Sequence, residues 1–222
     1  VRSSAASDVY KRQEFDRDEN GKIKKGNKME SQIKAKIIAD STMDGYRITT
    51  LQLRMPRFLL AQFNTHRVFS RNAASSRAVP VEKLIEQVRS DPFVPEQFAS
   101  NKAGMVAGET LDVLAQKKCF YTWNAAAQWA ILSAAELVKH GVHKQWANRI
   151  LEPFLMVDVV VTSTEWDNFF KLRLAEDSQP EMQKLAQCMY DAIQNSIPVE
   201  RLAHLPYLNA HEQPDEPNTC LL

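Results

Sequence analysis

The sequence predicts an α/β (α+β) domain, a mixed sheet packed with long helices, and three observations carry that reading. Ile33–Ile38, Tyr46–Leu53 and Phe154–Thr162 are clusters of β-favouring residues. Glu109 to His140 is rich in Ala, Leu and Trp with little Gly or Pro, as a long helix requires. Met182, Leu185, Ala186, Met189 and Ile193 recur at i, i+3, i+4, i+7 and i+11, one apolar helical stripe.

Taken in order, residues 1–28 are polar, charge-rich and without apolar periodicity, which reads as a non-native or disordered leader with Met29 as the biological start. The domain is expected over 29–197. Its first two strands are separated by the turn signal Met43-Asp44-Gly45. Pro56 suits the first turn of a short helix over Arg57–Asn64. Thr65–Val79, full of Ser, Asn and Arg, reads as a loop, and Pro80 opens a helix that ends before Asp91-Pro92. The Glu109–His140 stretch is one helix or two in tandem, halted by Gly141, with a short helix following to Ile150. Phe154–Thr162 reads as a buried strand in which Asp158 must find a partner. Glu165–Leu174 is helical, and the tail 198–222 is Pro-rich and extended.

Composition narrows the function. The chain has 222 residues, 44% hydrophobic and 25% charged, enough for a proper core. A net charge of +1 offers no footprint for nucleic acid. Three widely spaced cysteines, Cys119, Cys188 and Cys220, form no CxxC pair; they argue against a disulfide framework or a metal site and agree with a reducing cytoplasm. No apolar run approaches the roughly 18 residues of a membrane span.

The informative segment is Gln62–Arg77, QFNTHRVFSRNAASSR, with one His, three Arg, three Ser and two Asn. Ordering a long polar segment with several cations costs conformational entropy, which a ligand commonly offsets. Arginine forks match phosphate oxygens, and Ser hydroxyls and backbone N–H groups complete such a cradle. From chemistry alone the segment points to an anionic, phosphate-bearing ligand; the plain alternative is a solvated surface loop.

Thr65-His66-Arg67-Val68-Phe69-Ser70-Arg71-Asn72-Ala73-Ala74-Ser75-Ser76-Arg77 resembles the signature RHRxxSxNxxSxR of flavin-dependent thymidylate synthases, matching every fixed position except the first, where Thr65 replaces Arg. Gln62, three residues before it, and Pro56 also match. A second block agrees in order: Gly141-Val142, Ala147 to Leu151, Asn168-Phe169-Phe170-Lys171-Leu172-Arg173, and Ser178 to Met182. The resemblance implies the thymidylate synthase-complementing-protein fold in a single domain, and methylation of dUMP at C5. It implies FAD as hydride carrier, methylenetetrahydrofolate as carbon donor and NADPH as reductant, in a homotetramer with sites at subunit interfaces. Arg173 then matches the catalytic arginine that stabilises charge on the uracil. Gln62, Ser75, Ser76, Arg77 and Arg149, with Arg173, match dUMP-binding positions. Thr42, Thr65, His66, Arg67, Asn72 and Asn168 match FAD-side positions.

Arg149 falls in register only with a one-residue insertion; otherwise Asn148 takes its place. The departures are Thr65, Ala73 for a Glu, Gly45 for an acid, Asp177 for a His, and Thr162 and Thr164 for Asn and Arg; phage-type members resemble this chain in such altered loops. They leave open a sister activity, hydroxymethylation or a dCMP substrate, and a scaffold that binds nucleotide without turnover. A cysteine-based thymidylate synthase is disfavoured, because Cys119, beside Phe120 and Tyr121 in a helical run, and Cys188, in the last helix, both read as core residues.

Overall fold

The structure, a computed structural model, describes residues 32–104 and 106–207. The expected leader, Met29, Cys220 and the tail beyond Tyr207 lie outside the described residues. A five-stranded mixed sheet is ordered β3-β4-β2-β1-β5, with helices against one face.

β1 (Lys34–Met43) and β2 (Tyr46–Pro56) form an antiparallel hairpin. Asp44 (φ 52°) and Gly45 (φ 80°) are both left-handed, the two-residue loop whose twist matches paired strands. β1 was expected to stop at Ile38 but runs to Met43, through a register shift between Ile37 and Ala39. Its polar end is tolerated because Asp40 has partners: Arg47 donates to it through Nε (2.9 Å) and Nη2 (2.6 Å), and Thr49 Oγ1 donates at 3.0 Å. Burial raises the Asp40 pKa, but these hydrogen bonds and the Arg47 charge outweigh it and hold the carboxyl below its usual value.

β4 (Met156–Ser163) lies between β2 and β3, antiparallel to both. Only one of its faces is covered by the core. Val157, Val159 and Val161 point inward, while Asp158 is exposed opposite Arg54, with a loose 3.9 Å ion pair. The expected buried aspartate is therefore a solvated one, because the strand alternates. The expected loop Thr65–Val79 is corrected too: Ser70–Ala73 is edge strand β3, Ser70 and Asn72 exposed, Arg71 and Ala73 half-buried. At the other edge, Val199–Glu200 (β5) pairs parallel with β1. Beyond it, His204 crosses onto the outer face, sharing hydrogen bonds with Thr50 Oγ1 through Nε2 (2.7 Å) and Ser41 Oγ through Nδ1 (3.0 Å).

A 3₁₀ turn, Arg57–Leu59, leads into α1 (Leu60–Phe63). α2 is Val81–Ser90 and α3 is a single 27-residue helix, Val113–Lys139. The Asp112 side chain caps α3, accepting from Leu114 N (2.8 Å) and Ala115 N (3.0 Å). Gly141, at φ 74°, ends it: Gly141 N donates to Val138 O and Val142 N to Leu137 O, the paired bonds of a Schellman motif. Asp112→Ala should cost about 1 kcal/mol, read as a lower midpoint in thermal or urea unfolding with turnover intact. An unchanged midpoint would show the cap to be energetically idle.

α4 (Lys144–Ala147), a 3₁₀ segment (Asn148–Phe154), α5 (Asp167–Arg173) and α6 (Pro180–Gln194) complete the chain. One core joins the inner sheet face to α1, α5 and α6 through Leu51, Leu53, Met55, Phe63, Val159, Phe169 and Met189. The second packs α2 on α3 and the 3₁₀ segment through Leu84, Val88, Ala127, Ala134 and Leu151; alanines on α3 permit the close approach. Trp123 packs against both. On the opposite side of α3, Leu114, Tyr121, Trp129 and Leu132 stay exposed. Among the described residues no helix is long and apolar enough to cross a membrane.

Candidate active site

The polar segment after α1 is tied together by its own side chains. Arg71, on β3, donates through Nε to Asn64 Oδ1 (2.7 Å), through Nη2 to Asn64 O (2.8 Å), and through Nη1 to His66 O and Phe69 O (both 2.9 Å). One guanidinium thus closes the turn between α1 and β3, satisfying carbonyls that no ladder reaches. Thr65 Oγ1 donates back to Gln62 O at 2.7 Å, so it caps the short helix.

His66, at 7% exposure, is the hub. Its ring meets Phe169 edge-on at 4.8 Å, and Arg173 Nε donates to its Nε2 at 2.9 Å. A guanidinium can only donate, so Nε2 carries the lone pair and the ring proton belongs on Nδ1. Burial, and then the charges of Arg173 and Arg71, push the His66 pKa below its usual value, consistent with a neutral ring. The two sequence motifs, 107 residues apart, therefore meet in one hydrogen bond. Arg173 is anchored through Nε, and its two terminal nitrogens make no hydrogen bond among the described residues.

The second half of the segment is pinned from outside. Ser76 is buried, and its hydroxyl donates to Glu152 Oε1 at 2.6 Å. Arg57 donates to Ala74 O (3.0 Å), Ser76 Oγ (3.3 Å) and Glu152 Oε1 (3.1 Å). Asn148 is fully buried, and its Nδ2 donates to Ser76 O (2.7 Å) and Val79 O (3.0 Å). Arg149, next in sequence, is about half exposed and donates through Nη1 to both Glu152 oxygens. Of the two alternatives at the insertion, then, Asn148 faces the interior and Arg149 faces out. Burial raises the Glu152 pKa, but bonds from Ser76 and Arg149 and the Arg57 charge hold it below the usual carboxylate value.

With Ser76 turned inward, Ser75 and Arg77 on either side are exposed, and neither side chain has a partner among the described residues. Arg67, Asn72 and Asn168 are likewise exposed and unpaired. A groove of about 600 Å³ at β3 is lined by the polar Asn64, Arg67, Arg71 and Asn72 and the apolar Leu60, Phe69, Ala73 and Val159. The unpaired Arg67 guanidinium and Asn72 amide at this groove suit an anionic ligand. Gln62 Oε1 is buried with no hydrogen-bond partner among the described residues.

Of the sequence-predicted residues, the structure joins His66 to Arg173, links Ser76 and Arg149 through Glu152, and sets Arg67 and Asn72 along one groove. Thr42 lies near the end of β1, three strands from β3 in the sheet order, and pairs with Arg47 and Glu200. Sequence reasoning missed Arg57, Arg71 and Glu152. Arg149 and Glu152 have the i, i+3 spacing of a helical ion pair, a signal that could have exposed the carboxylate. Arg71 had none, because its partners are mainly backbone carbonyls, and Arg57 had none, because its partners Ala74, Ser76 and Glu152 lie 17 to 95 residues away.

A family model described as thymidylate synthase complementing protein matches residues 4–199. No curated protein matches the chain. Among solved structures, the chain is similar to a UMP/dUMP methylase, PolB, from Streptomyces cacaoi bound with 5-Br UMP, at 16% identity and a TM-score of 0.61, covering 74% of this chain and 89% of that one. The same protein bound with 5-Br dUMP gives 15% identity and a TM-score of 0.56, covering 73% and 90%. At such identities the likeness speaks for the fold.

Proposed function

Because the chain belongs to the thymidylate synthase complementing protein family, we propose that it methylates dUMP at C5 to give dTMP, using a one-carbon unit from methylenetetrahydrofolate and a flavin. The observation that carries this reading is the Arg173–His66 bond, which unites the two signature blocks at one place. Side chains cannot donate hydride; reduced FAD supplies it when bound, and NADPH restores the reduced form.

The chain's own residues bind, orient and polarise. Arg173, fixed through Nε, offers its free fork to negative charge developing on the uracil ring. Arg77, Ser75 and Arg149 present donors to the nucleotide phosphate, with Gln62 beside the base and Ser76 holding the loop from within. Arg67, Asn72 and Asn168 are exposed donors suited to the flavin's pyrophosphate and ring edges, and Arg67 brings a free cation to the β3 groove. His66 acts through its hydrogen bond to Arg173, and Thr65 through its cap on α1.

Thr42 stands apart from these residues within one chain, which supports a homotetramer in which a neighbouring copy supplies it. The exposed apolar stripe on α3, Leu114, Tyr121, Trp129 and Leu132, is the kind of face such an assembly buries.

The solved relative is named as acting on UMP as well as dUMP, so UMP is the second substrate to test. An anaerobic assay with reduced FAD, methylenetetrahydrofolate and either nucleotide, with the product identified by mass, decides among the readings. A methylated dUMP supports the main one. Hydroxymethylated product or turnover of dCMP indicates the sister activity, and nucleotide binding without flavin oxidation indicates a scaffold without turnover. Arg77→Ala should weaken dUMP binding by about tenfold or more, measured by titration calorimetry. Unaltered affinity removes Arg77 from the phosphate site.

A further inference from the structure

We propose that Glu152 is the positioning carboxylate of the nucleotide loop, holding Ser76 and Arg149 where loop and guanidinium meet the same phosphate. The inference rests on the nucleotide reading given above. Glu152 Oε1 accepts from Ser76 Oγ (2.6 Å), Arg57 Nε (3.1 Å) and Arg149 Nη1 (2.9 Å), while Oε2 accepts from Arg149 alone (3.2 Å). One carboxylate thus joins three elements that the chain brings from far apart: the turn after β2, the loop after β3, and the 3₁₀ segment before β4.

The consequence for the loop is geometric. Ser76 is drawn inward at its hydroxyl by Glu152 and at its carbonyl by Asn148. The flanking Ser75 and Arg77 side chains remain exposed and unpaired among the described residues. Ser76 Oγ directs its only proton to Glu152, so its hydroxyl has none left for a phosphate. The consequence for Arg149 is electrostatic. Its Nη1 is held on Glu152, which fixes a long side chain that is otherwise half exposed, while Nε and Nη2 make no hydrogen bond among the described residues. Ordering an arginine before the ligand arrives removes part of the entropy loss on binding. Three arginines, Arg57, Arg77 and Arg149, serve this region against one carboxylate, so the local balance stays positive for a phosphate.

Glu152→Gln isolates this role. Glutamine keeps an oxygen for Ser76, Arg57 and the shorter Arg149 bond, but it removes the negative charge and sets an amide N–H where Oε2 accepted from Arg149 at 3.2 Å. The nucleotide KM and the dUMP dissociation constant should each rise about tenfold, with kcat within about threefold. In a double-mutant cycle with Arg149→Ala, the second substitution should add little to the first, because both break the same arrangement. Ser76→Ala, which removes the contact from the loop side, should raise the dissociation constant about threefold.

Unchanged affinity in both Glu152→Gln and Ser76→Ala, even with a lowered melting temperature, would reduce Glu152 to a structural residue and overturn the proposal. Tighter binding would overturn it in the other direction, since Glu152 would then be competing with phosphate for Arg149. Failure of the wild-type chain to bind either dUMP or UMP is a separate result, and it removes the nucleotide reading itself along with this inference.

Discussion

Arg173→Ala is expected to lower kcat by about a thousandfold while dUMP affinity falls far less. The asymmetry follows from what the arginine is asked to do. An interaction that strengthens as charge develops lowers the barrier without greatly deepening the bound ground state. Arg173 is preorganised for that role: Nε is tied to His66 at 2.9 Å, and the terminal nitrogens are uncommitted among the described residues. The measurement is single-turnover oxidation of the reduced flavin, with nucleotide affinity determined separately. Turnover within a few-fold of wild type would remove Arg173 from catalysis. Arg173→Lys keeps the charge but loses the anchored fork, so it should recover only a small part of the rate.

The second large effect concerns stability. Phe169→Ala should cost about 3–5 kcal/mol, seen as a reduced unfolding free energy in urea. Phe169 is 2% exposed and sits within a cluster of rings: His66 at 4.8 Å, Phe69 at 5.2 Å, Phe170 at 5.6 Å and Phe63 at 5.9 Å. Removing it leaves a cavity that α1, α5 and β3 would all have to collapse into. It also deprives the His66 ring of its edge-on neighbour, so activity should fall in the fraction that remains folded. A loss below about 1 kcal/mol would mean that the cluster closes around the gap, and that the ring packing is not what positions His66.

The fold was legible wherever periodicity and punctuation agreed. The α6 stripe holds residue for residue: Met182, Leu185, Ala186, Met189 and Ile193 are all buried. Asp44-Gly45 marked the hairpin turn, and Gly141 the end of α3. What the sequence concealed was long-range partnering. β1 extends past Ile38 because Arg47 and Thr49 from the opposite strand satisfy Asp40, which no local window reveals. β3 looked like a loop because four polar or small residues carry no strand pattern; their ladder is provided by the valines of β4. Asp158 looked buried because the eye reads Val-rich runs as covered on both faces, whereas this sheet is packed by helices on one.

The candidate site was legible in outline through its two spaced motifs. Their meeting at His66 and Arg173 is a matter of three dimensions. Missing from that outline were the residues that hold others: Arg71 contacts mainly backbone oxygens, while Arg57 and Glu152 meet each other and Ser76 across long stretches of chain. Such residues have no fixed spacing from what they support, so no linear pattern announces them.

The short strand β3 sets a rule for anyone who remodels this segment. Side chains along a strand alternate between its two sides, and here the alternation divides a four-residue stretch: Arg71 and Ala73 serve the interior, Ser70 and Asn72 the outside. Deleting or inserting a single residue between Phe69 and Ala74 would exchange the two sets, expelling the guanidinium that closes the turn and driving an amide into the valine layer. Changes made in pairs keep the parity. Length variation here should therefore come in steps of two, and a library that samples odd lengths spends those members on misfolded chains.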